Sequence, residues 1–444
     1  MHKYISNINS ATWIRLLAAC IAIYSSKHLV SAVINWGKVK GWESYIVAQS
    51  LAKGEGYSFP SNKRWLYDYV VDENYHPTAW VDPLYSYLLG GLIWLFGENH
   101  QIAAAILNLA LFLLIFFAFY LLIEKMLTPK WALFGVCLLA FSDFSSLPSR
   151  MNNTLLASLL IIFSALALIS YLKNSNASRA SILGLTLGIT VLACPSAQFF
   201  IPITIVCIIF WQKTKIRSAA LHSALVASLA ALIMSPWVIR NYMVFDEFIP
   251  TRNGAGQITF IGVIGTGSAV DPESVRSDVK PFWSANSARE AVFKIQQQGT
   301  YRDQLEEIFQ PDYAKELAPE DWNLMNEAQR DKWFLSETKK YLFANPLLAA
   351  KLGLAKLELF SIIMGSFGLG ILIIAFFGAV SNLRSAELST LALWVASYIG
   401  PFIIVISYFP RYRAPIEPLL IFFAVLAGYW IFSKTSFAKK WTAT

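Results

Sequence analysis

Arg411 and Arg413, in YFPRYRAPIEPLL (408–420), sit at the mouth of an otherwise apolar hairpin. Guanidinium groups beside a hydrocarbon layer are costly unless they meet an anion, and their planar fork matches phosphate oxygens bidentately. A phosphate at the membrane surface suits them; anchoring the hairpin among lipid headgroups is the plainer alternative. Glu43, Asp82, Arg150 and Arg240 could complete a transfer chemistry. In such a reaction arginines hold a phosphate leaving group while a carboxylate takes the proton of an incoming hydroxyl. Each residue also has a structural reading. Arg240 in SPWVIRNY could cap the last carbonyls of its helix, Arg150 could anchor in the interface, and Glu43 could be a first-turn helix acid. Asp82 precedes Pro83 and reads as an N-cap. Convergence of all of them on one side of a membrane is what favours chemistry.

The elements that must position these residues are apolar helices. The chain has 444 residues, 56% hydrophobic and 14% charged, against about 25% charged in soluble domains, which makes it a polytopic membrane protein. Apolar segments fall at 12–34, 83–96, 102–123, 131–147, 154–172, 180–193, 198–211, 218–237, 360–380, 388–407 and 415–432. The first is too long for a signal-peptide core and reads as a retained span. The 83–96 segment begins at Pro83, ends at Gly97, and is shorter than the roughly 17 residues a span needs. It is therefore expected to lie in or dip into the interface. With the other ten segments spanning, Lys125, Lys130, Lys173, Arg179, Lys213, Lys215, Arg217 and Arg384 all fall on the cytoplasmic side together with both termini. Counting 83–96 as a span would move the middle groups outside, against the positive-inside rule. The expectation is an all-α, multi-pass protein of about ten transmembrane helices in a bacterial inner or plasma membrane.

Two long loops then face outward. The first, 35–101, carries WESYIVAQSLAKGEGYSF and HPTAWVDPLY; the second, 240–346, holds 16 of the 28 acidic residues and reads as a small, mostly helical soluble region. This divides the chain into a membrane module (1–239), the loop region (240–346) and a C-terminal membrane module (347–444). PLLAAKLGLAKLELF (346–360) is expected to lie along the membrane. Trp36, Trp42, Trp80, Trp237 and Trp430 read as an interface belt. Cys20, Cys137, Cys194 and Cys207 fall in apolar segments and read as small buried residues, and the five histidines are scattered without zinc spacing. The net charge of +8 sorts by membrane side, so nucleic acid is not an expected partner. Asp68, Asp72, Glu73 and Asp82 read as a solvated acidic loop rather than a metal site, and no cofactor is expected.

These motifs resemble the GT-C superfamily, in particular bacterial proteins similar to dolichyl-phosphate-mannose protein mannosyltransferases and lipid A aminoarabinose transferases. SYIVAQSLAKGEGYSF resembles the family's first-loop segment, and HPTAWVDPLYSYLLGGLIWLFG its PTAW stretch and amphipathic juxtamembrane helix. SPWVIRNYMVFDEFIPTRNGAG resembles the PWxxRNY segment with its following loop, and RYRAPIEPLL the RYRxPxxP element. The resemblance implies a glycosyltransferase that uses a polyprenyl-phosphate sugar and inverts the anomeric centre, with a lipid, glycan or protein as acceptor. By it, Glu43 and Asp82 are the candidate catalytic residues. Tyr45, His76, Arg150, Arg240, Arg411, Tyr412 and Arg413 are the candidate substrate-binding residues.

Three positions depart from the family pattern. The usual Asp before the loop-one tyrosine is absent, leaving Glu43 in Gly41-Trp42-Glu43-Ser44-Tyr45. A usual Thr-Glu is replaced by Asn152-Asn153-Thr154, and a usual Leu-Thr-Arg-Pro by Leu192-Ala193-Cys194-Pro195. Two other functions fit the same residues: a transporter of lipid phospho-headgroups, or a catalytically silent membrane partner. A transporter should carry polar residues at mid-membrane, and Asn108 is the clearest of the few available.

Overall fold

In lipid every backbone amide must be satisfied within its own segment, so runs rich in Leu, Ile, Phe and Ala form helices. The computed structural model describes residues 43–60, 75–142, 144, 147, 152–260, 319–321, 324–344, 346, 365–404 and 413–434. In chain order these hold α1 (Glu43–Ala52), the antiparallel pair β1 (Ser58–Pro60) and β2 (Tyr75–Pro77), α2 (Pro83–Phe96) and α3 (His100–Met126). There follow α4 (Pro129–Ala140), α5 (Thr154–Lys173), α6 (Ala177–Ala193), α7 (Phe200–Trp211) and α8 (Ile216–Phe245). The second loop contributes α9 (Ala255–Phe260) and α10 (Glu327–Ala344), and the C-terminal part α11 (Gly365–Val380), α12 (Ala386–Ile404) and α13 (Glu417–Ser433). Nine of the ten segments expected to span fall on helices among the described residues; 12–34 lies outside them, as does 347–360. Among the described residues, four stretches are long and apolar enough to cross a membrane: Pro83–Met126, Thr154–Lys173, Ile216–Phe245 and Ala414–Ser433. The chain is an integral membrane protein.

Local chemistry sets the ends. Pro129 and Pro83 open helices at a position whose N–H would be unsatisfied anyway. Asn176 accepts the Arg179 N–H and caps α6, while α8 ends where Asp246 turns left-handed at φ 54°. Alone, α2 is about 21 Å long at 1.5 Å per residue, too short to span. Gly97, at φ 52°, turns it into α3. Its face with Tyr85, Ser86, Leu89 and Gly90 is buried, while Tyr87, Leu88, Trp94, Leu95 and Phe96 are exposed.

Helices meet closely where glycines remove side chains. Gly184 and Gly188 of α6 form a GxxxG step against α8: a Cβ on Gly184 would lie 2.8 Å from the Val226 carbonyl, and one on Gly188 2.9 Å from that of Ala230. Buried polar ties link other pairs. Ser164 and Thr190 share a 2.8 Å bond, and Trp394 donates to Thr204 across 3.1 Å. Asn108 belongs to this set. It accepts from the Tyr85 hydroxyl at 3.0 Å, fastening α3 to α2.

A second, smaller apolar core lies in the loops, built from Ile46, Val47, Tyr57, Phe59, Trp80, Val81, Trp237, Phe245, Ile249 and Ile258. This corrects the belt expectation for Trp80 and Trp237. Both are buried, because the two long loops close over them; Trp430 is exposed, with Lys434 over its ring.

Candidate functional site

The first loop is held from behind by an arginine. Arg240, near the end of α8, donates to the carbonyls of Thr78 at 2.7 Å and Tyr57 at 2.8 Å. Its guanidinium lies over the rings of Tyr57, Trp237 and Phe245. It therefore does not cap its own helix; it pins β1 and the HPTAW segment to α8. Tyr57 continues the clamp, donating to the Val81 carbonyl at 2.9 Å and packing edge-on against Trp237. Burial pushes its phenol well above the ordinary tyrosine range.

The second loop clamps the first from the other side. Glu327, at the start of α10, accepts from Thr78 Oγ1 at 2.7 Å, the Ala79 N–H at 2.9 Å and Asn253 Nδ2 at 3.0 Å. The Asn253 N–H donates to the Ala79 carbonyl at 2.8 Å. Gly254 meets the face of Trp80 at φ 94°, a conformation and a spacing that leave no room for a side chain. Asp331 of α10 accepts from the Gln257 N–H at 3.0 Å, and burial raises its carboxyl above the usual range.

Asp82 stands where these clamps meet the helix bundle. Its backbone takes the N-cap conformation before Pro83, yet its side chain makes no capping bond, which corrects the N-cap reading. The missing N–H of Pro83 removes one donor, and the carboxylate turns instead toward other segments. Asn153, at the start of α5, donates through Nδ2 to Asp82 Oδ2 and also to the Ala193 carbonyl at 3.0 Å. Both targets are acceptors, so the NH2 end of that amide must face them. Arg252 Nη1 lies 3.8 Å from Asp82 Oδ1; the arginine side chain is 25% exposed and the aspartate 7%. Cys194 Sγ sits 3.6 Å from the Tyr398 hydroxyl. Burial first, then the charge of Asp82, pushes the Cys194 thiol up to about 12.

Other candidates are placed as follows. Glu43 opens α1 and is half-buried. Tyr45 is buried, its hydroxyl 2.9 Å from His100 Nε2 and accepting from Gln49. His76 lies in β2 opposite Phe59, with Nε2 shut off from solvent. Arg413 is buried and pairs with Glu417 at 3.3 Å, both side chains 4% exposed. The adjacent Ala414 carbonyl accepts from Ser158, one turn into α5 from Thr154, so Arg413 shares the Asn153 end of that helix. Arg150, Arg411 and Tyr412 lie outside the described residues. The structure thus joins Asp82 to Asn153 and Arg252, neither of which the sequence reading named as a site residue. The Asn153 substitution was visible as a departure from the family pattern. Arg252, in TRNGAG, carried no signal beyond lying in a matched segment.

Among the described residues no three His, Cys, Asp or Glu side chains are grouped so that they could hold a metal ion. Nor does the neighbourhood of Asp82 suit a cation, because its carboxylate faces an amide donor and a guanidinium.

Residues 75–239 match the family model of dolichyl-phosphate-mannose-protein mannosyltransferase. They run from β2 through Asp82 to the residue before Arg240. Over nearly the whole chain the fold is similar to oligosaccharyltransferase from Archaeoglobus fulgidus. The chain has a GT-C-like fold. One such crystal structure, a complex with zinc and sulfate, superposes with a TM-score of 0.53 at 14% identity, covering 96% of this chain and 50% of that one. Another, AglB with an inhibitory peptide and a dolichol-phosphate, gives 0.52 at 13% identity, covering 95% and 51%. This GT-C-like chain therefore spans about half the length of the structures it matches. No protein of curated function matches its sequence.

Proposed function

We propose that the protein is a membrane glycosyltransferase that moves a sugar from a polyprenyl-phosphate donor to an acceptor hydroxyl on the extracytoplasmic face, with inversion. The observation that carries this reading is Asp82: a carboxylate 7% exposed, held by an amide and facing an arginine, where two loops meet the membrane helices. In the reaction the acceptor oxygen forms a bond to the anomeric carbon while the bond from that carbon to the phosphate oxygen breaks. The phosphate leaves with the electron pair, and the hydroxyl proton passes to a carboxylate. A single displacement at that carbon inverts it.

Asp82 is the first candidate for the base and Glu43 the second; Arg411 and Arg413 remain candidates for holding the phosphate. Metal plays no part in this scheme. Arginine is the group that suits a developing phosphate charge, through paired N–H donors fixed in a plane. The sugar leaves as a glycoside of a lipid, a glycan or a protein. The transporter reading loses its main support in Asn108, whose side chain ties two helices together.

The test is release of free polyprenyl phosphate by purified protein from a panel of polyprenyl-phosphate sugars, with crude membrane extract as acceptor. Wild type, Asp82→Asn and Glu43→Gln are compared side by side. Release by wild type and by Glu43→Gln, with loss in Asp82→Asn, is expected. Loss in Glu43→Gln alone moves the base to Glu43, and release by none sinks the transferase reading.

A further inference from the structure

Three cations meet at the end of α5 that lies farthest from the candidate site. That helix starts at Thr154, beside Asn153, and its 20 residues carry it about 30 Å to Lys173. There Lys125, at the end of α3, donates to Ser170 Oγ, and Lys173 donates to the Lys125 carbonyl at 2.8 Å. Arg179, in the first turn of α6, donates through Nη1 to the carbonyls of Ser170 at 2.9 Å and Asn174 at 3.3 Å. The carbonyl bonds cap the C-termini of α3 and α5, but two helix ends offer together only about one elementary negative charge against three positive ones. Among the described residues none of the three cations makes an ion pair. Glu124, the carboxylate next to Lys125 in the chain, accepts from the Tyr120 hydroxyl at 3.2 Å instead. Each lysine has used one of its three donors, and the Nε–Nη2 edge of Arg179 is not used among the described residues. The cluster also crowns an apolar strip. Outward residues Phe163, Leu166, Ser170 and Lys173 follow at helical spacing on α5, as Phe117, Leu121 and Lys125 do on α3, with both phenylalanines exposed.

We propose that Lys125, Lys173 and Arg179 bind the phosphate of an anionic phospholipid in the leaflet opposite the candidate site, with its acyl chains along the α3–α5 strip. The headgroup supplies the negative charge that the helix ends leave short. Its oxygens meet two ammonium groups as point charges and the Nε–Nη2 edge of Arg179 as a fork. A soluble anion would answer the charge but leave the strip uncovered. A zwitterionic lipid would cover the strip but bring a cation of its own to a cluster of cations. The arrangement therefore selects a lipid of net negative charge, the kind that draws basic residues to a membrane surface. Such a lipid touches α3, α5 and α6 at once, so it ties three helix ends together and stabilises the folded chain by mass action.

The experiment is native mass spectrometry of the purified full chain in detergent, titrated with phosphatidylglycerol or with phosphatidylcholine of the same acyl chains. Wild type should bind phosphatidylglycerol at least about 10-fold more tightly than phosphatidylcholine. Lys173→Gln and Arg179→Gln should each lower the phosphatidylglycerol affinity by about 5-fold, the worth of one cation beside an anionic surface, and leave phosphatidylcholine unchanged. Arg179→Lys should lose less, since it keeps the charge but not the fork. The control is Lys215→Gln, which removes an exposed cation at the start of α8. That helix ends at the loops beside the candidate site, so its start lies on the cluster's side, and the variant should change neither affinity. Equal affinity of wild type for the two lipids overturns the inference. So does a loss in Lys215→Gln as large as that in Lys173→Gln, which would reduce the site to diffuse surface attraction. If the three cations only cap helices, the variants lower the thermal midpoint while the ratio of the two lipid affinities stays at its wild-type value, and that too overturns it. Inorganic phosphate is run as a competitor; displacement of the lipid at millimolar phosphate would make the site one for free phosphate and remove the lipid.

Discussion

Two arginines that face the same loop serve opposite ends. Arg240 has its donors filled by the Thr78 and Tyr57 carbonyls and its flat faces covered by aromatic rings. Arg252 has one edge on Asp82 and a quarter of its side chain open. The residue type is the same, and so is the loop that receives it. What differs is what surrounds the guanidinium: that of Arg240 lies among backbone carbonyls and aromatic rings, that of Arg252 beside a carboxylate at ion-pair range. The first fastens a loop, and the second is an electrostatic neighbour of the candidate base.

The comparison can be broken in graded ways. The largest effect belongs to Asp82. Its change to Asn should lower single-turnover transfer by about 10²-fold or more, the scale on which one group acting at the transition state is felt. A rate within a factor of a few of wild type would leave the open side of the comparison without a chemical purpose. Next comes Glu327→Ala, which leaves Thr78 Oγ1, the Ala79 N–H and Asn253 Nδ2 without their common acceptor. It should cost about 2–4 kcal/mol of stability, read as a lower thermal midpoint in detergent; an unchanged midpoint would mean the loops do not rely on this clamp.

The two arginines themselves can be set against each other as lysine variants. Arg240→Lys should lose about 1–3 kcal/mol, because an ammonium cannot serve two carbonyls and three rings at once, with the KM for donor unchanged. Arg252→Lys keeps the charge beside Asp82 at a partly exposed site and should move the melting curve by less than about 1 kcal/mol. If Arg240→Lys raises donor KM, Arg240 also touches substrate and the distinction collapses.

The smallest effect concerns Cys194. With its thiol pushed up to about 12, it is un-ionised near neutrality, so iodoacetamide at pH 8 should label it about 10³-fold more slowly in the folded protein than a free thiol. A group whose folded pKa is raised stabilises the fold below its unfolded value and withdraws that support as pH rises. Its contribution should therefore disappear between about pH 8.5 and 12. Labelling at the free-thiol rate would show that the Asp82 side of the molecule is open to solvent.

The helices were largely readable, because hydrocarbon burial imposes one composition and one length rule on each segment independently of its neighbours. The close-packing step GLTLG in α6 was not drawn from the sequence and came only with the structure. The bounds of 83–96 as a separate short helix followed from Pro83 and Gly97. The site was less so. Glu43 and Asp82 could be named as carboxylates and Arg240 as a cation, but their partners lie far along the chain. Asn153 reaches Asp82 over 71 residues, and Arg240 reaches Thr78 and Tyr57 over 162 and 183. No periodicity carries information over such separations. The N-cap reading of Asp82 failed for a related reason: local rules assign a polar side chain to its own helix unless something distant claims it first.

Asn153 gives the site a chemical lifespan. Its amide nitrogen donates to both a carboxylate and a carbonyl, so exchange of that one NH2 for oxygen, the change that slow deamidation makes, would turn two attractions into two repulsions beside Asp82. Size and shape would not alter, but both the centre and the start of α5 would feel the change. On ageing of a purified sample, lost activity and a lowered thermal midpoint would both track the fraction of Asp at position 153.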